Sequence, residues 1–224
     1  LIPVNKKIFK LLTPVQKVQI MNLVRWAFQA KVTTKPFAYF ELDGIKYYLP
    51  AADYEDTGSL EWALITIYYI AYTNEKLAAE LRQDFFFKLI ALLCRPARKD
   101  LQDFKNDPKR WNGDVRESFN GVSEEERAVL FRKTDMGKLI AVFQYWEAMN
   151  ENFVKRNKEL FESDGEQIFH NGEGCLSLLA DVAEEGVMGK LSEVYDIAAP
   201  ELFMYLRQKQ KKAQKAERDA LKVN

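Results

Sequence analysis

The chain has 224 residues, 47% of them apolar, and its 33 Lys+Arg balance 33 Asp+Glu. Apolar content on that scale supports a packed core and excludes global disorder. A net charge of zero argues against nucleic acid as the main partner, because phosphate binding usually shows as a basic excess. The longest apolar run, Ala63 to Tyr72, is half of the roughly 20 residues that a membrane-spanning helix needs.

The first helix is predicted over Pro14–Lys31. Thr13 stands as its N-cap, Pro14 as its first residue, and Gln16 completes a T-x-x-Q capping box. Ile20, Leu23, Val24, Ala27 and Phe28 fall on one face at helical spacing. The only clear β signal follows: Phe37–Leu42, then Asp43-Gly44, then Ile45–Leu49. Asp-Gly between β-prone runs suits a type I′ hairpin, whose two central residues need positive φ. A lone hairpin is marginal in water, so it must pack on helices or join a larger sheet.

Asp53–Gly58 reads as a solvated acidic loop that caps the next helix. It resembles half of a calcium-binding loop, but position twelve is Leu64 where a bidentate Glu is needed. Leu60–Tyr72 is apolar nearly all round and is expected to be the central helix. A further helix is predicted over Glu75–Cys94, with a break near Gln83 and a stop at Pro96. Arg95–Asn120 reads as a long irregular loop with Phe104 and Trp111 as anchors. Ser123 and Glu126 form a second capping box, opening a short helix to Arg132, and Glu124–Glu126 suit its positive N-terminal end. Thr134 is expected to cap a long helix from Asp135 to Phe161, with Leu139, Val142, Phe143, Trp146, Met149 and Phe153 as its apolar stripe. Ser163–Gly174 reads as a polar linker. Helices at Leu176–Glu185, Lys190–Tyr195 and Pro200–Ala220 complete the chain.

This makes a mainly α, bundle-like fold with one small β-hairpin at 37–49. The predicted organisation is a main helical domain over 1–162, a linker over 163–174 and a C-terminal helical unit over 175–224.

Chemistry-bearing residues are sparse. His170, the single histidine, lies in the polar linker, which leaves no material for a histidine triad or a histidine metal site. Cys94 and Cys175 lie far apart in apolar helices and read as reduced thiols. No Walker loop, C-x-x-C, G-x-S-x-G or dinucleotide fingerprint occurs. No cofactor or metal is therefore expected, and no catalytic residue is assigned. An enzyme built on an unrecognised carboxylate site is the competing reading, and a polar pocket with convergent acids would favour it.

Two groups are candidates for partner binding. Tyr47, Tyr48, Tyr54 and Trp111 are the aromatics expected to be exposed, a residue type enriched at protein interfaces. The C-terminal helix carries Leu202, Phe203 and Leu206 as an apolar face expected to bury against Leu176, Leu179 and Ala183, and it loses that face after Leu206. From there Arg207, Lys209, Lys211, Lys212, Lys215, Arg218 and Lys222 stand against Glu217 and Asp219, a local net charge of +5. A segment this polar is expected to fray alone and to order on an acidic surface.

From Gly174 to Arg207 an apolar helix ends in a Gly-containing turn. Gly189-x-Leu191-x-x-Val194-Tyr195 follows, then Pro200 and a final helix carrying Tyr205-Leu206. The earlier stretch Asp43-Gly44-x-x-Tyr47-Tyr48-Leu49-Pro50 is followed by an acidic loop and an apolar helix. Together, Phe37–Tyr72 and Gly174–Arg207 resemble the tail-assembly-chaperone-like proteins of tailed bacteriophages and prophages. The resemblance implies a non-enzymatic protein that binds a tape-measure or tail-tube client in the host-cell cytoplasm. The alternative is a structural connector or tail protein of the virion.

Overall fold

In the computed structural model, residues 10–29, 31–161 and 172–221 are described. The fold is mainly α with a small antiparallel sheet. Helix α1 spans Pro14–Gln29. Its capping box forms: Gln16 N–H donates to Thr13 Oγ1 at 3.2 Å, and Thr13 N–H donates to Gln16 Oε1 at 2.9 Å. Ile20 is half-buried. The side chains of Leu23, Val24, Ala27 and Phe28, which complete the predicted stripe, lie outside the described residues, as does His170.

Strands β1 (Tyr39–Leu42) and β2 (Ile45–Tyr48) pair antiparallel with Phe40 opposite Tyr47. Asp43 at φ 52° and Gly44 at φ 77° make the turn between them. The hairpin finds both predicted supports. Phe40 and Tyr47 stack with centroids 5.6 Å apart, and both meet the Phe131 ring edge-on. A third strand, β3 (Arg95–Pro96), pairs with β2 through Tyr47 and Tyr48. It lies in the segment read as irregular. Its two residues leave no alternation to detect, and its partners come from far along the chain. Ala97 bridges Arg116, and Glu117 N–H donates to the Pro96 carbonyl at 2.8 Å, so the long loop closes on itself. A short helix, α4 (Leu101–Asn106), sits inside that loop.

The expected central helix is α2 (Ser59–Thr73). It packs on α3 (Ala79–Leu93), which runs unbroken through Gln83 and ends one residue short of Cys94. Helix α5 (Ser123–Phe131) lacks the predicted cap. The Ser123 hydroxyl instead donates to the Asn120 carbonyl and accepts from Arg127 Nη1. Helix α6 (Met136–Arg156) is capped by Asp135 rather than Thr134, through Gly137 N–H at 2.8 Å. It stops before the predicted Phe161. Asn157 Nδ2 bonds back to the Phe153 carbonyl, competing with the helix ladder, and the chain resumes as the single turn α7 (Lys158–Phe161).

Helix α8 (Glu173–Glu184) begins three residues before the predicted start. Gly172 precedes it at φ 82°, where a Cβ would lie 3.0 Å from Ile67 Cγ1 and 3.1 Å from Ile70 Cδ1 on α2. Only glycine permits both that backbone conformation and that approach. After α9 (Leu191–Asp196), α10 runs from Ala199 to Leu221. Leu202, Phe203 and Leu206 are buried as expected. Phe203 reaches further than α8: its ring meets Trp62 on α2 and Phe153 on α6 at 4.8 Å, and Phe161 on α7 at 5.7 Å. One continuous apolar cluster therefore includes residues from the hairpin through α10. No helix among the described residues is long and apolar enough to cross a membrane.

Candidate functional site

Two buried arginines organise the centre of the molecule. Arg95 belongs to β3, and Arg116 lies on the returning limb of the same loop. Both are about 1% exposed. Arg116 Nε meets Asp114 Oδ1 at 2.8 Å, Nη1 meets Glu61 Oε1 at 3.3 Å, and Nη2 meets Asp56 Oδ1 at 3.1 Å. Its remaining reach goes to the Leu93 and Asp56 carbonyls. Arg95 Nη2 is 3.1 Å from both Glu61 Oε2 and Asp114 Oδ2. The cluster joins α2, β3, the loop and the acidic turn before α2.

Burial shifts these groups in opposed ways. It raises the Glu61 carboxyl above its ordinary range, against the pull of Arg95 and Arg116. It lowers Arg95, with Glu61 opposing. Burial alone would lower Arg116 too, but Glu61, Asp56 and Asp114 carry it above its usual value. Nε and Nη1 of Arg95 have no protein partner.

The Asp53–Gly58 turn is thus not the solvated loop expected from sequence. Asp56 accepts from Ala51 N–H at 2.8 Å as well as pairing with Arg116, and Thr57 is buried. A stretch as short as Cys94-Arg95-Pro96 or Asp114-Val115-Arg116 gives no periodic signal, so the sequence reading missed the cluster. The clue available was composition: charged residues inside segments bounded by Leu92, Leu93 and Phe119.

A cavity of about 310 Å³ opens over the cluster, with Arg98, Phe104, Arg110 and Asp196 among its walls. Arg98 lies over the Phe104 ring at 3.6 Å and makes a two-point contact with Asp100. Asp56, Glu61 and Asp114 converge here, as a carboxylate enzyme would require, but each is held by an arginine; Asp196 on the wall is exposed and lies outside these ion pairs. Among the described residues, no group of three or more His, Cys, Asp or Glu is arranged to hold a metal ion. Cys94 and Cys175 are free thiols, raised by burial to about 12 and about 11, which suppresses thiolate chemistry.

The aromatic candidates divide. Tyr47 and Tyr54 are buried, contrary to expectation. The hairpin register turns Tyr47 inward beside Phe40. Tyr54 packs edge-on to Phe153 at 5.0 Å and donates to Asn150 Oδ1 at 2.8 Å. Tyr48 is half-buried, 5.3 Å from Tyr39. Trp111 is exposed on one side and covers Phe104 with the other. The basic candidates lie together on α10. Lys209 pairs with Glu185, while Lys211, Lys212, Lys215 and Arg218 are exposed. The helix runs to Leu221, one residue past the predicted Ala220.

The cluster also supports a seam between segments far apart in sequence. Ser59 N–H and Oγ both donate to the Ile197 carbonyl at 2.8 Å, and Ala199 N–H donates to the Thr57 carbonyl at 2.9 Å. Gly58, opposite Ala198, has the Tyr195 carbonyl only 3.0 Å from where a Cβ would stand. Comparison with family models, with curated proteins and with solved structures gave no match.

Proposed function

We propose that this chain is a non-enzymatic binding protein of the tail-assembly-chaperone kind, holding a tape-measure or tail-tube client during assembly. The seam carries the reading. The two stretches that resemble such proteins, Phe37–Tyr72 and Gly174–Arg207, are separated by about a hundred residues. They nevertheless meet through Ser59, Thr57, Ile197 and Ala199, and through Trp62 against Phe203. Two stretches with a shared origin in one functional unit should be packed together in this way. The arginine cluster supports the reading from the other side, because Asp56, Glu61 and Asp114 are committed to ion pairs rather than standing free as general bases.

Co-expression with each protein encoded beside its gene is the test. A long, helical neighbour that is insoluble alone should become soluble and co-purify with this chain. If no neighbour does so, and the chain instead appears in fixed stoichiometry in purified particles, the assembly-factor reading fails and the virion-component reading replaces it.

A further inference from the structure

The charge of the last fifty residues is sharply divided. Glu173–Leu206 contains seven acids and one lysine, and the following eighteen residues contain seven cations and two acids. The whole chain is neutral, so the first 206 residues carry a net charge of −5 that balances the +5 end. On α10, Arg207, Lys211, Lys215 and Arg218 follow at spacings of four, four and three, which places them on one face. Beyond Lys209 and Gln210, which contact Glu185 and the Glu159 carbonyl, the helix holds Lys211, Lys212, Lys215 and Arg218 exposed. It runs from Ala199 to Leu221 with no Gly and no Pro after Pro200. It therefore has no hinge with which to lay its cations on its own acidic surface.

That surface lies on α8 and α9. Asp181, Glu184, Glu193 and Asp196 are exposed, with Lys190 as the single cation, and Val187 and Leu191 are exposed beside them. The arm offers the matching set: cations on one face, and Ala213, Ala216 and Ala220 on the other, with Leu221 exposed at its end.

We propose that α10 is a docking arm for a second copy of this chain, whose α8–α9 surface receives it. Each copy owns one arm and one receiving surface, so two copies satisfy each other reciprocally in a two-fold pair. Charge complementarity favours this occupant over nucleic acid: the acidic body would repel a phosphate backbone along most of its length. The proposal goes beyond client binding and stands without it.

Light scattering and sedimentation of the full chain, over a range of concentrations at low and high salt, provide the test. Concentration-dependent pairing at low salt, lost at high salt, is expected, because screening weakens contacts between exposed charges. The triple variant Lys211→Glu, Lys212→Glu, Lys215→Glu should be monomeric. So should Asp181→Lys, Glu184→Lys, Glu193→Lys. Mixing the two variants should restore pairing between the reversed arm and the reversed surface, which a merely misfolded variant would not do. A monomer at every salt concentration for the unmodified chain overturns the proposal. So does pairing that survives both triple variants, or a mass increase seen only when an oligonucleotide is added. Client solubilisation, read separately, does not depend on any of these outcomes.

Discussion

Basic side chains do opposite work in two regions of this molecule. In the centre, Arg95 and Arg116 are enclosed with Glu61, Asp56 and Asp114, and every removal of a partner strands a charge away from water. On the α10 arm, Lys211, Lys212 and Lys215 stand in solvent. Exposed charges of that kind add little to stability and act instead on encounter and association. Basic side chains therefore fix the fold in one place and leave it untouched in the other. What separates them is access to water rather than charge.

Breaking the interior should have the largest effect. Arg116→Leu leaves Asp56, Glu61 and Asp114 facing one another with only Arg95 to compensate. Removing one partner of a buried ion pair typically costs about 3–5 kcal/mol, and Arg116 serves three acids. Denaturant unfolding should show a loss of at least that order, or no folded protein at all. Lys215→Leu on the arm should change stability by less than about 0.5 kcal/mol. Equal losses at the two positions would dissolve the distinction.

Gly172→Ala tests whether close approach, rather than charge, limits the interior. The substitution forces an L-residue to φ 82° and drives a methyl against Ile67 and Ile70. Positive φ and overpacking each cost on the order of 1–2 kcal/mol. A loss of about 2 kcal/mol is expected in the same unfolding experiment. An unchanged midpoint would mean that α8 does not bear on α2 as closely as the structure places it.

Glu124 lies between the two extremes and gives the comparison a pH axis. It is buried, it accepts from the Tyr68 hydroxyl, and its Oε2 has no partner. Burial raises its carboxyl above the ordinary value of 4.5, against the pull of Tyr68, Lys88 and Arg127. Below about pH 4.5 the folded and unfolded chains both hold the proton, and the group contributes nothing to the difference. As pH rises through the raised value, the folded state must ionise against burial, and stability falls. Glu124→Gln keeps an acceptor for Tyr68 and removes that penalty. It should be neutral to stabilising by up to about 1 kcal/mol near neutral pH. The advantage should vanish in acid. A variant less stable at neutral pH and unchanged in acid would reverse the sign and show Glu124 to be a favourable anion.

Legibility in the sequence followed periodicity. The Asp43-Gly44 turn, the Thr13–Gln16 box and the apolar stripe through Leu139, Val142, Trp146 and Phe153 are local patterns, and each is present in the fold. The arginine cluster joins positions 56, 61, 95, 114 and 116, whose relation exists only after three elements have packed. Tyr47 and Tyr54 failed for the same reason: residue type suggested an interface, while cross-strand register and a turn at positive φ directed both rings inward. Ser123 lost its cap to Arg127, which is four residues away and buried for reasons no local motif contains.

The smallest effect on stability should come from deleting Lys211–Asn224. The truncation keeps Lys209 against Glu185, Gln210 against the Glu159 carbonyl, and the buried Leu202, Phe203 and Leu206. Up to Leu221, what is removed is helix whose side chains are exposed wherever they are described. A helical stretch of about that length is marginal in water without tertiary support, so its amides should exchange with solvent far faster than those near Leu202 and Leu206. Measured at high salt, where pairing between copies is screened, the unfolding free energy should change by less than about 0.5 kcal/mol. At low salt the intact chain gains whatever pairing supplies, because any partner that binds only the folded state raises the apparent midpoint with concentration. The two salts therefore separate two claims. A midpoint several degrees lower at high salt would place the arm in the core and end the contrast between the regions. A difference confined to low salt, growing with protein concentration, would leave the contrast intact and assign the arm to association alone.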